Sequence, residues 1–286
     1  MSPRHQILAG DRAAVLARYS GLMAQSRRRR NVELGAVLAV LALTLFSVWW
    51  LGISIAEIGP GLATLTKLAA LMFPPSTGGH LHLFLKAMGE TLAIAFLGTI
   101  VAALLAAPLS LLAAKNVAPS LLLRFLIRRM LDTIRGVDTL IWALVFVGAV
   151  GLGPFAGILA MAVSDTGAFG KLFSEALEAA EPRQRETIVV SGGSRWMAVR
   201  FGLLPQILPV IASQVLYYFE SNTRSATIIG IVGAGGIGLQ LSEQIRTYDF
   251  DQVAFIVLMI LATVAAIDWL SGKLRFAIIG RTQVLT

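Results

Sequence analysis

Uncharged stretches long enough to matter alternate with short polar ones along the chain. Gly35 to Ser54 is a run of 20 residues without a charge, and about 20 apolar residues at 1.5 Å rise cover the roughly 30 Å hydrocarbon core of a bilayer. It exceeds the h-region of a secretory leader, about 7–15 residues, and follows Arg27-Arg28-Arg29-Arg30, so it reads as a retained first span. Residues 55–90 contain Pro60, Pro74, Pro75, Gly78 and Gly79, which predict a loop with a short interfacial helix. Thr91 to Ala114 predicts a second span. Residues 115–138 set Lys115, Arg124, Arg128, Arg129 and Arg135 among leucines, predicting a polar loop that runs into an amphipathic helix. Thr139 to Gly170 carries one charge, Asp165, and Gly151-Leu152-Gly153-Pro154 divides it into two helices joined by a tight turn. Each half is short for a span unless the first begins near Leu126. Phe201–Phe219 and Val253–Ile267 supply a fifth and a sixth span.

Composition agrees with that pattern. Hydrophobic residues make up 56% of the chain and charged ones 14%, against about 25% charged in soluble domains. An all-α polytopic membrane protein of about six spans follows. Cysteine is absent, which excludes disulfides and cysteine chemistry, and three scattered histidines make no metal site. The formal charge of +8 invites a nucleic-acid reading until the basic residues are placed. Six spans starting inside put residues 1–33, 113–138, 171–201 and 272–286 in the cytoplasm, and 20 of the 24 Lys and Arg fall there. The positive-inside rule accounts for that asymmetry, with both termini cytoplasmic, and nucleic acid loses its argument.

The polar segment between the fourth and fifth spans reads Glu186-Thr187-Ile188-Val189-Val190-Ser191-Gly192, then nine residues, then Gly202-Leu203-Leu204-Pro205. Gly192 and Gly193 permit a sharp turn between short helices. Ser194 to Phe201 interleaves Arg195 and Arg200 with Trp196, Met197 and Val199, an amphipathic helix that suits a groove on a partner or a membrane surface. The segment resembles the loop of permeases of ATP-binding-cassette importers, Glu-Ala-Ala, three residues, Gly, nine residues, Ile, one residue, Leu-Pro. Thr187 and Ile188 stand for the two alanines and Gly202 for the isoleucine, while the spacing is kept. Phe219–Gly238, Pro108–Asn116, Ala149–Gly157 and Gly170–Ala176 resemble the phosphonate-importer permease family. The likeness runs from about Leu92 to the C-terminus.

The resemblance implies a type I importer permease fold and a pathway for phosphonate or a related phosphorus oxyanion. Its implied docking residues for the ATPase are Glu186, Gly192, Gly193, Arg195 and Pro205, in a coupling loop of about residues 176–205. The implied organisation is a basic cytoplasmic tail, 1–33, and a permease domain, 34–286, in the bacterial inner membrane. Partners would be an ATP-binding-cassette ATPase homodimer, a periplasmic or lipid-anchored solute-binding protein, a second copy of the chain, and lipid. The chain has no P-loop, so ATP and Mg would belong to the ATPase and this subunit would be no enzyme. An importer permease for another solute (phosphite, phosphate or an amino acid) is the alternative. An intramembrane enzyme is a further one, though no cysteine, histidine or Ser-His-Asp set lies in a span.

Two features remain open. Gly233-Ala234-Gly235-Gly236-Ile237-Gly238 matches G-x-G-x-x-G, but no strand precedes it and no α/β alternation exists, so close packing or a gate is expected. Glu220 and Arg224 lie one helical turn apart and can neutralise each other, or Arg224 can present its guanidinium to an oxyanion; Asn222 lies between them. Asp165 is expected to pair with a helix terminus or a cytoplasmic arginine.

Overall fold

A computed structural model describes residues 30–52 and 55–283, with secondary structure that is helical throughout. It divides into two compact units, residues 1–67 and 68–286. The first holds α1, Arg30–Trp50, whose side chains are exposed along its length. Helix α2, Ile55–Leu71, runs across the boundary into the second unit. The tail before Arg30, with most of its arginine run, lies outside the described residues.

In the second unit the order is α3 Leu81–Ala113, α4 Leu121–Arg135, α5 Thr139–Val150 and α6 Pro154–Ala179. Then come α7 Pro182–Val190, α8 Arg195–Met197, α9 Leu204–Ile229, α10 Ile237–Thr247 and α11 Phe250–Gln283. Six-residue and five-residue π turns join α8 to α9 and begin the break after α9. In hydrocarbon each backbone donor needs an internal partner, which helices supply. The hydroxyls inside α3 follow suit, Thr91 donating to the Ala87 carbonyl at 3.0 Å and Thr99 to that of Ala95 at 2.6 Å.

Several predicted limits are corrected. The second span starts at Leu81, ten residues before Thr91, and includes Lys86 and Glu90. The short helix expected within 55–90 is the 17-residue α2, and only Met72–His80 is left as loop between it and α3. A continuous third span from Leu126 does not form. Gly136 ends α4, the Asp138 carboxylate caps α5 through the Leu140 N–H at 2.8 Å, and the two helices meet at 85°. Among the described residues four helices are long and apolar enough to cross a bilayer alone, and a fifth crossing is counted if the bent pair is one. Helix α6 is absent from that set because it carries Asp165, Lys171, Glu175 and Glu178, yet it is the most enclosed helix. Ala156, Ala160, Met161, Ala162, Phe169 and Phe173 are buried along it. A helix packed among α3, α4, α5 and α9 shows lipid only part of its surface and need not be apolar throughout. Six crossings are reached if α6 and the α5 arm of the bent pair each count as one.

Small residues let these helices approach closely. A methyl group on Gly167 would lie 2.8 Å from the Arg135 backbone nitrogen, and one on Gly98 2.6 Å from Met161 Cβ. The central core is Ile94, Ala95, Ala143, Ala160, Met161, Ala226, Ile229 and Ala234. One end is closed by Phe84, Met88, Ile237 and Ile256, the other by Ala114, Leu177, Val199, Leu203 and Ile207. Leu104, Leu258, Leu261 and Trp269 remain outside, as lipid-facing residues should.

Candidate functional site

At the end of the bundle where α3 and α6 finish, α7 and α8 form a hairpin. The Ser191, Gly192 and Gly193 N–H groups donate to the Thr187, Val189 and Ile188 carbonyls at 2.9–3.0 Å, closing α7. Gly192 takes φ +85°, a conformation that favours glycine. Gly193 has no room for a side chain, since a methyl there would lie 2.7 Å from Ile188 Cγ2. Ser194 caps α8 by accepting from the Met197 N–H at 3.3 Å. Arg195 opens α8 and Pro205 sits in the first turn of α9, where a missing N–H costs nothing. Glu186 is exposed on α7, beside a surface of Val190, Trp196 and Met197 that is 87, 73 and 53% exposed.

Gly202 explains its own departure from the loop pattern. A methyl on it would come 3.0 Å from Arg185 Cα, so α7 rests on this turn. Gln206 clamps the crossing, donating to the Gly202 carbonyl at 2.6 Å and accepting from the Glu181 N–H at 2.9 Å.

The glycine string lies at the break between α9 and α10. Gly233, Gly235 and Gly236 have φ of +100, +81 and +74°. Gly235 is packed on Pro154 and Gly236 on Thr91, with no space for a Cβ. The Gly233 carbonyl accepts from the Gly153 N–H at 3.0 Å, and the N–H of Ile237, first residue of α10, donates to Thr91 Oγ1 at 2.8 Å. A helix precedes the string and tightly fitted backbone fills it, so the dinucleotide alternative is excluded. Thr91 had no signal in sequence; only the fold brings it to this helix end.

Asn222 and Asp165 meet in the core. The Asn222 amide donates to Asp165 Oδ2 and, at 2.8 Å, to Thr99 Oγ1, joining α9, α6 and α3. Asp165 therefore pairs with a side-chain amide, correcting the expected helix terminus or arginine.

Glu220 and Arg224 are in reach at 3.7 Å, but each has a nearer partner on α11. Arg275 donates to Glu220 at 2.6 Å, and Arg224 to Asp268 at 3.3 Å. Arg275 also lies over the Tyr217 ring, 5.8 Å from its centroid. The edge-on contact of Phe219 with Phe96 and the bond of Asn222 to Thr99 set this group at mid-height on α3. Arg275, in the stretch 272–286 expected to be cytoplasmic, thus packs against α9 as part of the long helix α11. Two cations and two carboxylates balance, with the Arg224 and Asp268 side chains each 45% exposed. An ionisable side chain at the bilayer centre costs about 2.5–3.5 kcal/mol on insertion scales, so this face looks onto water or another protein surface. The clue available in sequence was Asp268 ending an apolar run, with Arg275 two turns on.

Comparison with known proteins places this geometry. The family described as "Binding-protein-dependent transport system inner membrane component" matches residues 106–278. HtxC of Stutzerimonas stutzeri, provisionally named a phosphite transport system permease, is 39% identical over 256 residues, 89% of each chain. PhnE of Mycolicibacterium smegmatis, a phosphate-import permease, is 40% identical over 204 residues, covering 71% of this chain and 38% of PhnE. Among solved structures, a chain of the MetNI methionine ABC transporter superposes with a TM-score of 0.62 at 19% identity, over 71% of this chain and 99% of that one.

Proposed function

The chain belongs to the binding-protein-dependent transport system inner membrane components, the permeases of ATP-binding-cassette importers, and on that premise we propose that its cargo is phosphonate or a related phosphorus oxyanion. The observation that carries the reading is the pair of guanidiniums, Arg224 and Arg275, held on carboxylates of facing helices at mid-height. A phosphorus oxyanion matches the planar fork of arginine. Passing along this face, it would exchange for Asp268 at the more open Arg224 without stranding a charge. The names of the relatives, phosphite and phosphate permeases, point to the same class of anion. The methionine transporter shares the fold alone at its low identity and lends no support to an amino-acid cargo.

The permease works as a homodimer in the inner membrane, with both termini cytoplasmic. Two ATP-binding-cassette subunits, which hold ATP and Mg and perform hydrolysis, dock on Glu186, Gly192, Gly193, Arg195 and Pro205. The exposed Val190, Trp196 and Met197 beside them supply the apolar contact that such docking needs. A periplasmic or lipid-anchored protein delivers the solute. Closure of the ATPases pushes the α7–α8 hairpin, and the Gln206 clamp passes the motion to α9. The break at Gly233, Gly235 and Gly236 serves as the gate, together with Glu220, Asn222 and Arg224.

Uptake by the full importer in proteoliposomes, with its binding protein, tests the cargo. Methylphosphonate or phosphite is expected to accumulate on ATP addition, and methionine is not. Arg224→Lys keeps the charge but loses the fork, so uptake should fall about tenfold, as loss of one charged hydrogen bond implies. Methionine uptake alone, or wild-type phosphonate uptake by the lysine variant, would remove the cargo reading or Arg224 from it.

A further inference from the structure

Helix α4 has a role that transport does not assign. Its sequence places Leu121, Leu122, Phe125, Leu126 and Met130 on one stripe, 40–81% exposed, and only Leu131 is buried. An 85° bend joins it to α5, which is apolar after Thr139 and carries no charge. If α5 enters the bilayer, α4 lies along the surface with its stripe turned into the headgroup boundary.

Arginines flank the stripe. A shallow groove of about 390 Å³ is lined by Leu121, Arg124, Phe125, Arg128 and Arg129. Its open surface is mostly apolar, formed by Leu121, Phe125 and the aliphatic stems of the arginines. A second cavity of about 180 Å³ shares Arg128 and Arg129 and adds Lys171 and Ser174. Around them five cations, with Lys115 the fifth, face three carboxylates, Glu178, Asp132 and Glu175, an excess of two positive charges. Glu178 is shared by three of the cations, at 2.6 Å to Arg128 but 3.9 Å to Arg124. The Arg124 Nε is buried with no acceptor in the chain. The excess of positive charge calls for an anion, and the apolar surface of the groove calls for a chain attached to it.

We propose that this groove seats an anionic phospholipid, its phosphate among Arg124, Arg128 and Arg129 and an acyl chain along Leu121 and Phe125. A zwitterionic lipid brings its own cation and offsets none of the excess. The site lies beyond the cargo reading and stands whatever the cargo is. It sits where α3, α4 and α6 are tied together, since Arg128 Nε also donates to the Ala113 carbonyl at 3.0 Å and the Lys115 N–H to Glu178 at 2.7 Å.

Native mass spectrometry of the purified importer, titrated with phosphatidylglycerol or phosphatidylcholine, tests the site. Phosphatidylglycerol should bind more tightly, and each arginine removed should weaken it about fivefold while leaving phosphatidylcholine unmoved. The variants are Arg129→Gln and Arg124→Gln with Arg129→Gln. Arg129 is 63% exposed, pairs with Asp132 one turn away on its own helix and lies over the Phe125 ring, so its single variant still reports should the double fail to fold. Arg246→Gln, an exposed cation on α10, should bind like the parent. Equal affinity for the two lipids, or unchanged phosphatidylglycerol binding in Arg129→Gln, would overturn the proposal. Displacement by inorganic phosphate would also overturn it, marking a free-anion site. So would loss of the dimer in Arg129→Gln with lipid preference intact, which would give the stripe to a second copy.

Discussion

Glu220 has two guanidiniums within reach and holds them unequally. Arg275 is at 2.6 Å with little solvent around it, the side chains being 29 and 11% exposed; Arg224 stands at 3.7 Å and leans to Asp268. Removing one partner of a buried pair leaves the other charge uncompensated and costs about 3–5 kcal/mol, whereas an exposed pair is worth about 0–1 kcal/mol. Glu220→Gln should therefore destabilise the folded permease by about 3 kcal/mol, and Asp268→Asn by less than about 1 kcal/mol. Neutralising Glu220 and Arg224 together does not repair the site, because Arg275 is then stranded. The compensating change is Glu220→Gln with Arg275→Gln. Thermal unfolding of the four detergent-solubilised proteins reads this directly. Equal losses for Glu220→Gln and Asp268→Asn would show that the two pairs are not ranked by burial.

The elements divide into those that hydropathy sees and those it does not. Helices α1, α3, α9 and α11 stand out because lipid selects their outer residues, and the loop around Gly192 was legible because a turn demands glycine at φ +85°. Helix α6 was only half legible, since a helix enclosed by others is shaped by packing at Gly167 and Gly170 and carries Asp165 toward Asn222. The bend at Gly136 was half visible: Arg135 and Asp138 mark the junction, but the leucines of α4 let the apolar run be extended back through it. Of the charge set, Glu220 and Arg224 are visible as an i, i+4 pair. Asp268 and Arg275 reach them across 44 and 55 residues, and no local pattern reports that. The α7–α8 hairpin yields a prediction at this scale. Gly192→Asp forces a side chain into a left-handed turn, a strain of order 1–3 kcal/mol, while Glu186→Ala removes a charge from an exposed helix and leaves the turn intact. Both variants should insert normally, and both should lose transport-linked stimulation of ATP hydrolysis. Normal stimulation in both, measured with purified ATPase and binding protein, would mean that the hairpin is not the docking element.

For the molecule as a whole, the sidedness of the ends decides whether the hairpin can meet an ATPase at all. Lys115, Arg124, Arg128, Arg129, Lys171, Arg183, Arg185, Arg195 and Arg200 gather at the end where α3 and α6 finish. At the other end the loop Met72–His80 is tied to the start of α11, through the Ser76 N–H to the Asp251 carbonyl at 3.2 Å and His80 Nδ1 to Gln252 at 3.3 Å. Packing of Arg275 against α9 leaves this asymmetry intact, and basic loops favour the cytoplasmic side. The absence of cysteine makes the test clean, because any introduced thiol is the only one. His82→Cys lies exposed in the first turn of α3, and Val190→Cys is 87% exposed on the hairpin. With the permease expressed without its ATPase, so that Val190 stays uncovered, a membrane-impermeant maleimide should label His82→Cys in spheroplasts and spare Val190→Cys, with the order reversed in inside-out vesicles. Both helices are unstrained at these positions, so neither substitution disturbs the fold it reports on. Labelling of Val190→Cys in intact spheroplasts would put the hairpin outside, and with it would go the cytoplasmic ATPase contact.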